Sequence, residues 1–366
     1  MTTTHHLSGS LPPSAPSRRI GVAFVGLGER GRTTLQLMLP VESAGIVALC
    51  DLSESNVAQA RLLLPDGSAP ECVHGADAYK KVCRMEAVEL VYICTDWTSH
   101  PHIAVEAMRQ GKDVAIEVPA ATTLEEVHLL LSTARETRRH CFLLENACFE
   151  QQTMEAIEAI HRGDIGEVVH AEGNYYHCLD DRWTTWRLEM NRQRRGDLYP
   201  THELGPICQA MGIGKTDTLE TLVCMDTGAF SGPQQYKNHT GAEAQDFQNG
   251  DHTTTLLRTR RGHTILLRHD VMTSQPYDRR LLFIGTRERI ELHDTGRPSH
   301  QEMTLAMNRR LIAALTGGRP FGIDINDLAT WCAVIPLSEE SIARGFAPVR
   351  FPDFYGIEPL SSTQTL

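Results

Sequence analysis

Tyr199-Pro200-Thr201-His202 sets a phenol and an imidazole three positions apart. At that spacing both side chains can converge on one hydroxyl group. An imidazole takes or returns a proton near neutrality, and a phenol donates to or orients its substrate. Read alone, a histidine at a helix start is more often a satisfied turn residue, with Thr201 a mere N-cap. Arg195-Gly196-Asp197, just upstream, reads equally well as an exposed turn. The pair gains its weight from the rest of the chain.

Gly26-Leu27-Gly28-Glu29-Arg30-Gly31 fits G-x-G-x-x-G between an apolar run and a helical pattern. Glycines there give a tight turn and let backbone N–H groups approach a pyrophosphate at a helix N-terminus. Asp51 ends the next apolar run, about 20 residues on, where a carboxylate accepts hydrogen bonds from ribose hydroxyls. The same charge disfavours a 2′-phosphate, so the expected cofactor is NAD rather than NADP. Two later strand ends face the same crevice, Thr95-Asp96-Trp97-Thr98-Ser99-His100 and Glu117-Val118-Pro119. Trp97 and His100 are expected to meet the cofactor there, packing and capping being the plainer alternative.

Elements must carry these residues to one place. Apolar runs at 20–25, 46–50, 90–94, 113–116 and 141–144 alternate with helical patterns near 30–39, 53–63, 99–110 and 122–137. Alternation of that kind predicts βαβ units and a parallel sheet. After about residue 150 the pattern changes. Strands are expected at 168–176, 253–258, 264–269, 280–284 and 289–292, with Arg261-Gly262 as a hairpin turn. Helices are expected at 155–162, near 201–211, and at 304–315 and 327–343. The fold class is therefore α/β: an N-terminal Rossmann doubly wound sheet over 20–150, then an α+β domain with a mostly antiparallel open sheet over 151–366. Residues 1–19, rich in Ser, Thr and Pro, are expected to be disordered. No internal repeat or heptad pattern stands out.

Composition removes several classes. The 366 residues are 41% hydrophobic and 22% charged, with a formal net charge of -11 and no long basic run. Nucleic acid and anionic membranes are therefore excluded as partners. The ten cysteines include no Cys-x-x-Cys pair and read as reduced, buried thiols. No metal site is expected, His5-His6 being too short and isolated. Arg18-Arg19 runs directly into the first strand rather than an export segment, so the chain reads as cytoplasmic. The open face of the second sheet is expected to bury itself against a second copy, giving a homo-oligomer.

The Gly motif, Asp51, Glu117-Val118-Pro119 and the mixed second domain resemble the Gfo/Idh/MocA oxidoreductases. That family usually has Glu-Lys-Pro with a catalytic lysine, and here Val118 takes the lysine's place. Its Asp-x-x-x-His pair is also absent, since Leu198 stands four residues before His202. Both departures resemble glycoside hydrolase family 109, a branch of NAD-dependent α-N-acetylgalactosaminidases. Trp97 with His100, Glu145-Asn146, the run 195–202, Pro276-Tyr277 and Val334-Ile335-Pro336-Leu337-Ser338-Glu339 carry the likeness, over roughly residues 20–353. Glu203 stands where the branch typically has glycine. A carboxylate there would raise the imidazole's pKa or reshape the pocket.

The resemblance implies two sets of contacts. Gly26, Gly28, Glu29, Arg30, Gly31, Asp51, Trp97, His100, Glu117, Val118 and Asn146 would hold NAD. Tyr175, Arg187, Tyr199, Thr201, His202 and Tyr277 would hold the sugar, with Glu145 and His177 nearby. Tyr175 and His177 lie two apart on one strand, which pocket lining and plain packing explain equally. Trp183 and Trp186 could stack on a sugar face, although the segment 178–194 leaves few residues for a loop over it. The implied reaction on a small glycoside is oxidation at sugar C3, elimination across C1–C2, water addition and re-reduction. His202 would take the C3 hydroxyl proton, and Tyr199 would take the C2 hydrogen or orient the sugar. The alternative is a net NAD-dependent sugar dehydrogenase.

Overall fold

A computed structural model describes residues 18–293 and 298–356. The disorder expected for residues 1–19 falls, apart from Arg18 and Arg19, outside them, as does His5-His6. Six parallel strands form the first sheet: β1 (Ile20–Val25), β2 (Ala44–Asp51), β3 (Glu71–His74), β4 (Leu90–Ile93), β5 (Asp113–Ile116) and β6 (Cys141–Leu143). They are crossed by α1 (Glu29–Met38), α2 (Glu54–Arg61), α3 (Ala78–Arg84), α4 (His100–Arg109) and α5 (Leu124–Thr137). Helices cover both faces, so β1 and β4 are apolar and buried throughout. Strand order is β3-β2-β1-β4-β5-β6. It reverses between β1 and β4, and the crevice outside their carboxyl ends is where ligands of such sheets bind.

Five strands were expected and six are present. The strand missing from the sequence reading is β3, Glu-Cys-Val-His, which pairs only with β2 and buries only Val73. An edge strand this short and polar carries no apolar run.

The second half contains α6 (Gln151–His161), β7 (Val168–Tyr176), α7 (Thr185–Gln193), α8 (Thr201–Met211), β8 (Leu219–Asp226), α9 (Gly232–Thr240), β9 (Thr253–Thr259), β10 (Thr264–Asp270), β11 (Leu281–Gly285) and β12 (Arg289–Leu292). It closes with α10 (Pro298–Leu315), α11 (Ile325–Ala343) and β13 (Val349–Arg350). The sheet order is β12-β11-β7-β10-β9-β8-β13, antiparallel except for the β10–β7 pair. Thr259 N and His263 O close the expected hairpin at Arg261-Gly262.

Sequence reading passed over β8, whose register shifts between Leu219 and Thr221 and so breaks the two-residue alternation. It also passed over the polar helices α7 and α9. The segment 178–194 thus folds as a short helical turn followed by α7. Arg194 ties it down through Glu339, at 2.6 and 2.8 Å, and through the Thr122 carbonyl at 2.8 Å. Arg195-Gly196-Asp197 is not an exposed turn. Arg195 pairs with Asp226, and Gly196 and Asp197 are buried, the Asp197 N–H donating to Ser338 Oγ at 2.9 Å.

All ten cysteines are free, with Cys72, Cys94 and Cys178 only half-buried. No described helix is long and apolar enough to cross a membrane.

Candidate active site

One cavity of about 860 Å³ runs from the Gly26–Arg30 turn to the start of α8. At its first end the turn after β1 fits a dinucleotide. A Cβ on Gly26 would lie 2.5 Å from the Cys94 backbone, and one on Gly31 would lie 2.0 Å from the Gly26 carbonyl oxygen. Only glycine allows strand and helix to meet that closely. A Cβ on Gly28 would meet nothing within 4 Å, because Gly28 faces the open cavity where a pyrophosphate would lie. Gly31 itself is packed beneath and does not line the space.

Asp51 lines the cavity at the end of β2. Its carboxylate accepts from Leu27 N at 2.6 Å, Ser53 N at 2.8 Å and Asn56 Nδ2 at 3.0 Å. These donors fix the carboxylate at the position a ribose would approach.

Arg30 and Glu117 pair across the crevice with both contacts at 2.9 Å. Burial opposes the Arg30 charge, but Glu117 more than offsets it and holds the guanidinium more firmly protonated than usual. Val118 follows Glu117 in the wall, and no lysine among the described residues lines the cavity. His100 reaches the wall with both ring nitrogens engaged, 2.9 Å from Pro119 O and 3.1 Å from Thr95 O. Burial pulls its pKa down against these carbonyls, and a neutral ring donates to only one of them while packing between the ends of β4 and β5. Asn146 lies behind the wall, donating to Thr304 Oγ1 at 2.8 Å.

At the other end stand Tyr175, Arg187, Tyr199 and His202. Pro200 is the residue before α8, so His202 sits in the first turn with its ring against the cavity. His202 Nδ1 lies 2.6 Å from Glu145 Oε1, a residue just past β6 in the other sheet. Burial resists ionisation of Glu145, but His202, Thr201 and the Ala147 N–H outweigh it and hold the carboxyl below its usual range. With Nδ1–H donated to Glu145, Nε2 is the basic nitrogen left for a ligand.

Trp97 stacks on Tyr199 at 5.7 Å, and the Arg187 guanidinium lies 4.6 Å from the Tyr199 ring centre. Leu198 packs with Trp97 and Ile335, so this position favours an apolar side chain over an aspartate.

Several expectations need correcting. Glu203 is not the partner of His202. It is fully buried, both its oxygens lack a hydrogen-bond partner, and burial with Asp197 nearby pushes its pKa well up, so it is neutral. Thr201, His177 and Tyr277 do not line the cavity, and Glu145 lies behind His202. Trp186 lines it while Trp183 is buried away from it. The segment 178–194 does reach the site, through Arg182, Thr184, Trp186 and Arg187. Sequence reasoning missed Gly75, Ala76 and Tyr79 after the unread β3, and His300 at the start of α10.

Comparison with known proteins agrees with this architecture. Residues 20–144 match the family model described as oxidoreductase family, NAD-binding Rossmann fold. Residues 149–295 and 288–357 match the one described as glycosyl hydrolase 109, C-terminal domain. A glycosyl hydrolase family 109 protein of Porphyromonas gingivalis is 38% identical, covering 95% of this chain and 87% of its own. Glycosyl hydrolase family 109 protein 1 of Bacteroides fragilis is 37% identical, with 92% and 85% covered. Among solved structures, myo-inositol 2-dehydrogenase from Lactobacillus plantarum superposes with a TM-score of 0.76 at 15% identity, over 92% of this chain and 100% of that one. Myo-inositol dehydrogenase from Lactobacillus casei, in complex with NAD(H) and myo-inositol, gives 0.73 at 14% identity, over 92% and 99%. At such identities the likeness is one of fold.

Proposed function

The chain belongs to glycosyl hydrolase family 109, an NAD-dependent glycosidase or sugar oxidoreductase, and on that premise we propose that it hydrolyses an N-acetylgalactosaminide-like glycoside by a redox cycle. The observation that carries this reading is the His202–Glu145 pair at 2.6 Å in a cavity continuous with the dinucleotide turn. Gly26, Gly28, Glu29, Arg30, Asp51 and Glu117 would hold the cofactor. When bound, NAD supplies a hydride acceptor for sugar C3 and later returns the hydride.

The protein's own task is to move protons and exclude water. His202 Nε2 takes the C3 hydroxyl proton, while Glu145 fixes the tautomer and offsets the charge the imidazole gains. A ketone at C3 acidifies the C2 hydrogen, and the phenols of Tyr175 and Tyr199 stand over the same space. Arg187 donates to sugar oxygens from a geometry fixed by the aromatic faces around it. Removal of the C2 hydrogen expels the C1 substituent, and water then adds in its place. His202 returns its proton to the C3 oxygen at the end.

The outer face of the second sheet, with Met225, Leu256 and Ile284 exposed, would accept a second copy. Light scattering at working concentration tests that; a monomer contradicts it.

The functional test incubates the purified protein and NAD with p-nitrophenyl α-N-acetylgalactosaminide and related aryl glycosides, following nitrophenol and NADH together. Nitrophenol without accumulating NADH supports the cycle. NADH accumulating with a free sugar supports a net dehydrogenase, the activity in the name of the Lactobacillus plantarum protein that shares the fold.

A further inference from the structure

The two halves of the chain give the cavity walls of different charge. The carboxylates that line it, Glu29, Asp51, Asp96 and Glu117, all come from the parallel-sheet half. Glu117 is paired with Arg30, and Asp96 accepts from the Thr98 and Ser99 N–H groups at 3.1 Å. Among the described residues, the second half lines the cavity with no carboxylate and with two arginines, Arg182 and Arg187.

Neither arginine forms an ion pair among the described residues. Arg182 is exposed, and its Nη2 donates to the Cys178 carbonyl at 2.8 Å. Arg187 Nε is buried without a hydrogen-bond partner. The Arg187 guanidinium lies among aromatic faces, 4.6 Å from the Tyr199 ring centre and 5.3 Å from that of Trp97. The carboxyls nearby are otherwise engaged. Glu145 is taken up by His202, Glu203 is neutral, and Glu189 on α7 accepts from Arg192 and Tyr236. Burial, then Arg187, pushes the His269 imidazole down to about 3, and burial, then Arg30, does the same to His300. The charge of this wall is therefore that of two guanidiniums.

We infer that the glycoside taken here carries an oxyanion, a carboxylate or a sulfate ester, which Arg182 holds with Arg187 behind it. This names a substrate class for the glycosidase reading above and rests on that reading. A guanidinium keeps its charge at any working pH, and its fork of N–H donors matches an oxyanion in two places at once. A substrate seated against Arg182 displaces water from it, and an anion restores that solvation where a hydroxyl does so only in part. The chain as a whole carries a formal charge of -11, so the attraction is a local field of this wall rather than a general affinity for anions.

The test uses the full chain with NAD and four p-nitrophenyl α-glycosides. One is the neutral N-acetylgalactosaminide. The others are its 6-sulfate, the galacturonide with a carboxylate on C5, and the neutral sugar on a carboxylated nitrophenol. At least one acidic glycoside should exceed the neutral one in kcat/KM by about tenfold or more. The best of them identifies which oxyanion is read, and whether it sits on the sugar or the leaving group. The preference should shrink as salt is raised. Arg182→Gln should cut the acidic-to-neutral ratio by about tenfold or more, chiefly through KM, while Arg182→Lys keeps part of it. A neutral glycoside turned over as well as all three acidic ones overturns the inference. So does an Arg182→Gln ratio equal to that of the unsubstituted protein. If Arg182→Gln does not fold, the salt dependence of the unsubstituted protein decides, and a preference indifferent to salt counts against Arg182. If no glycoside is turned over, the glycosidase reading fails. Calorimetry of the NAD-loaded protein with the free neutral and acidic sugars then measures the anion preference by itself, and equal affinities overturn it.

Discussion

Glu145 and His202 stand 57 residues apart in the chain, one at the end of the parallel sheet and one at the first turn of α8, and meet at 2.6 Å. That contact fixes which imidazole nitrogen faces the cavity. Glu145→Gln keeps the shape and removes the charge. It should lower kcat by about two orders of magnitude or more, with little change in NAD affinity. Steady-state kinetics alongside a cofactor titration checks both; an unchanged kcat removes Glu145 from the account.

Glu203 gives the opposite expectation, although it is next to His202 in sequence. Its neutral carboxyl lies behind α8 against β7, where a Cβ on Gly173 would fall 2.6 Å from the Glu203 Cβ. Glu203→Gln should leave kcat within about threefold near neutrality. It should also make the protein more stable in alkaline buffer, where Glu203 itself would be forced to ionise. Thermal melts across pH decide this, and a steep loss of kcat would mean that Glu203 serves the imidazole after all.

Asp197 supplies a pH dependence of known sign. Burial pushes its carboxyl up to about 6, against the Thr255 hydroxyl and the Tyr199 N–H. A carboxyl with a folded value above its unfolded one binds its proton more tightly in the folded state. Its contribution is therefore full below the unfolded value, and is lost as pH rises through about 6. Asp327, also raised to about 6, acts in the same direction. Asp197→Asn should show a smaller fall in melting temperature between about pH 4 and about pH 7 than the unsubstituted protein. Equal falls would contradict the assignment.

Asp51 holds the dinucleotide turn through Leu27 N and meets the cavity with the same carboxylate. Asp51→Ala should weaken NAD binding by about tenfold or more and narrow its preference over NADP. Fluorescence titration with each cofactor measures the ratio; an unchanged preference would separate Asp51 from the ribose.

Much of this was legible in the sequence because the signals are local. The strand–glycine–helix turn, the Asp51 position and the boundaries of β7 and α8 follow from periodicity and turn chemistry within a few residues. What stayed hidden is set by tertiary contact. No spacing rule couples Glu145 to His202 or sends Glu203 behind the helix. No pattern shows that Arg195 finds Asp226, which lies 31 residues away. The strand β3 gave no signal because an edge needs few apolar residues, and β8 gave none because a register shift breaks its alternation. Pocket lining and packing were equal alternatives for Tyr175 and His177. The fold separates them, setting the phenol on the cavity wall and the imidazole behind it.

The account turns on one sugar carbon losing and regaining the same hydride within a single cavity. The most direct measurement uses an aryl glycoside carrying deuterium at both C2 and C3, turned over in ordinary water with NAD, with the released sugar examined by mass and magnetic resonance. The account predicts a sugar that keeps its deuterium at C3, carries solvent hydrogen at C2, and leaves no reduced cofactor behind. Deuterium collecting in reduced cofactor, or hydrolysis with the C2 deuterium untouched, would contradict it.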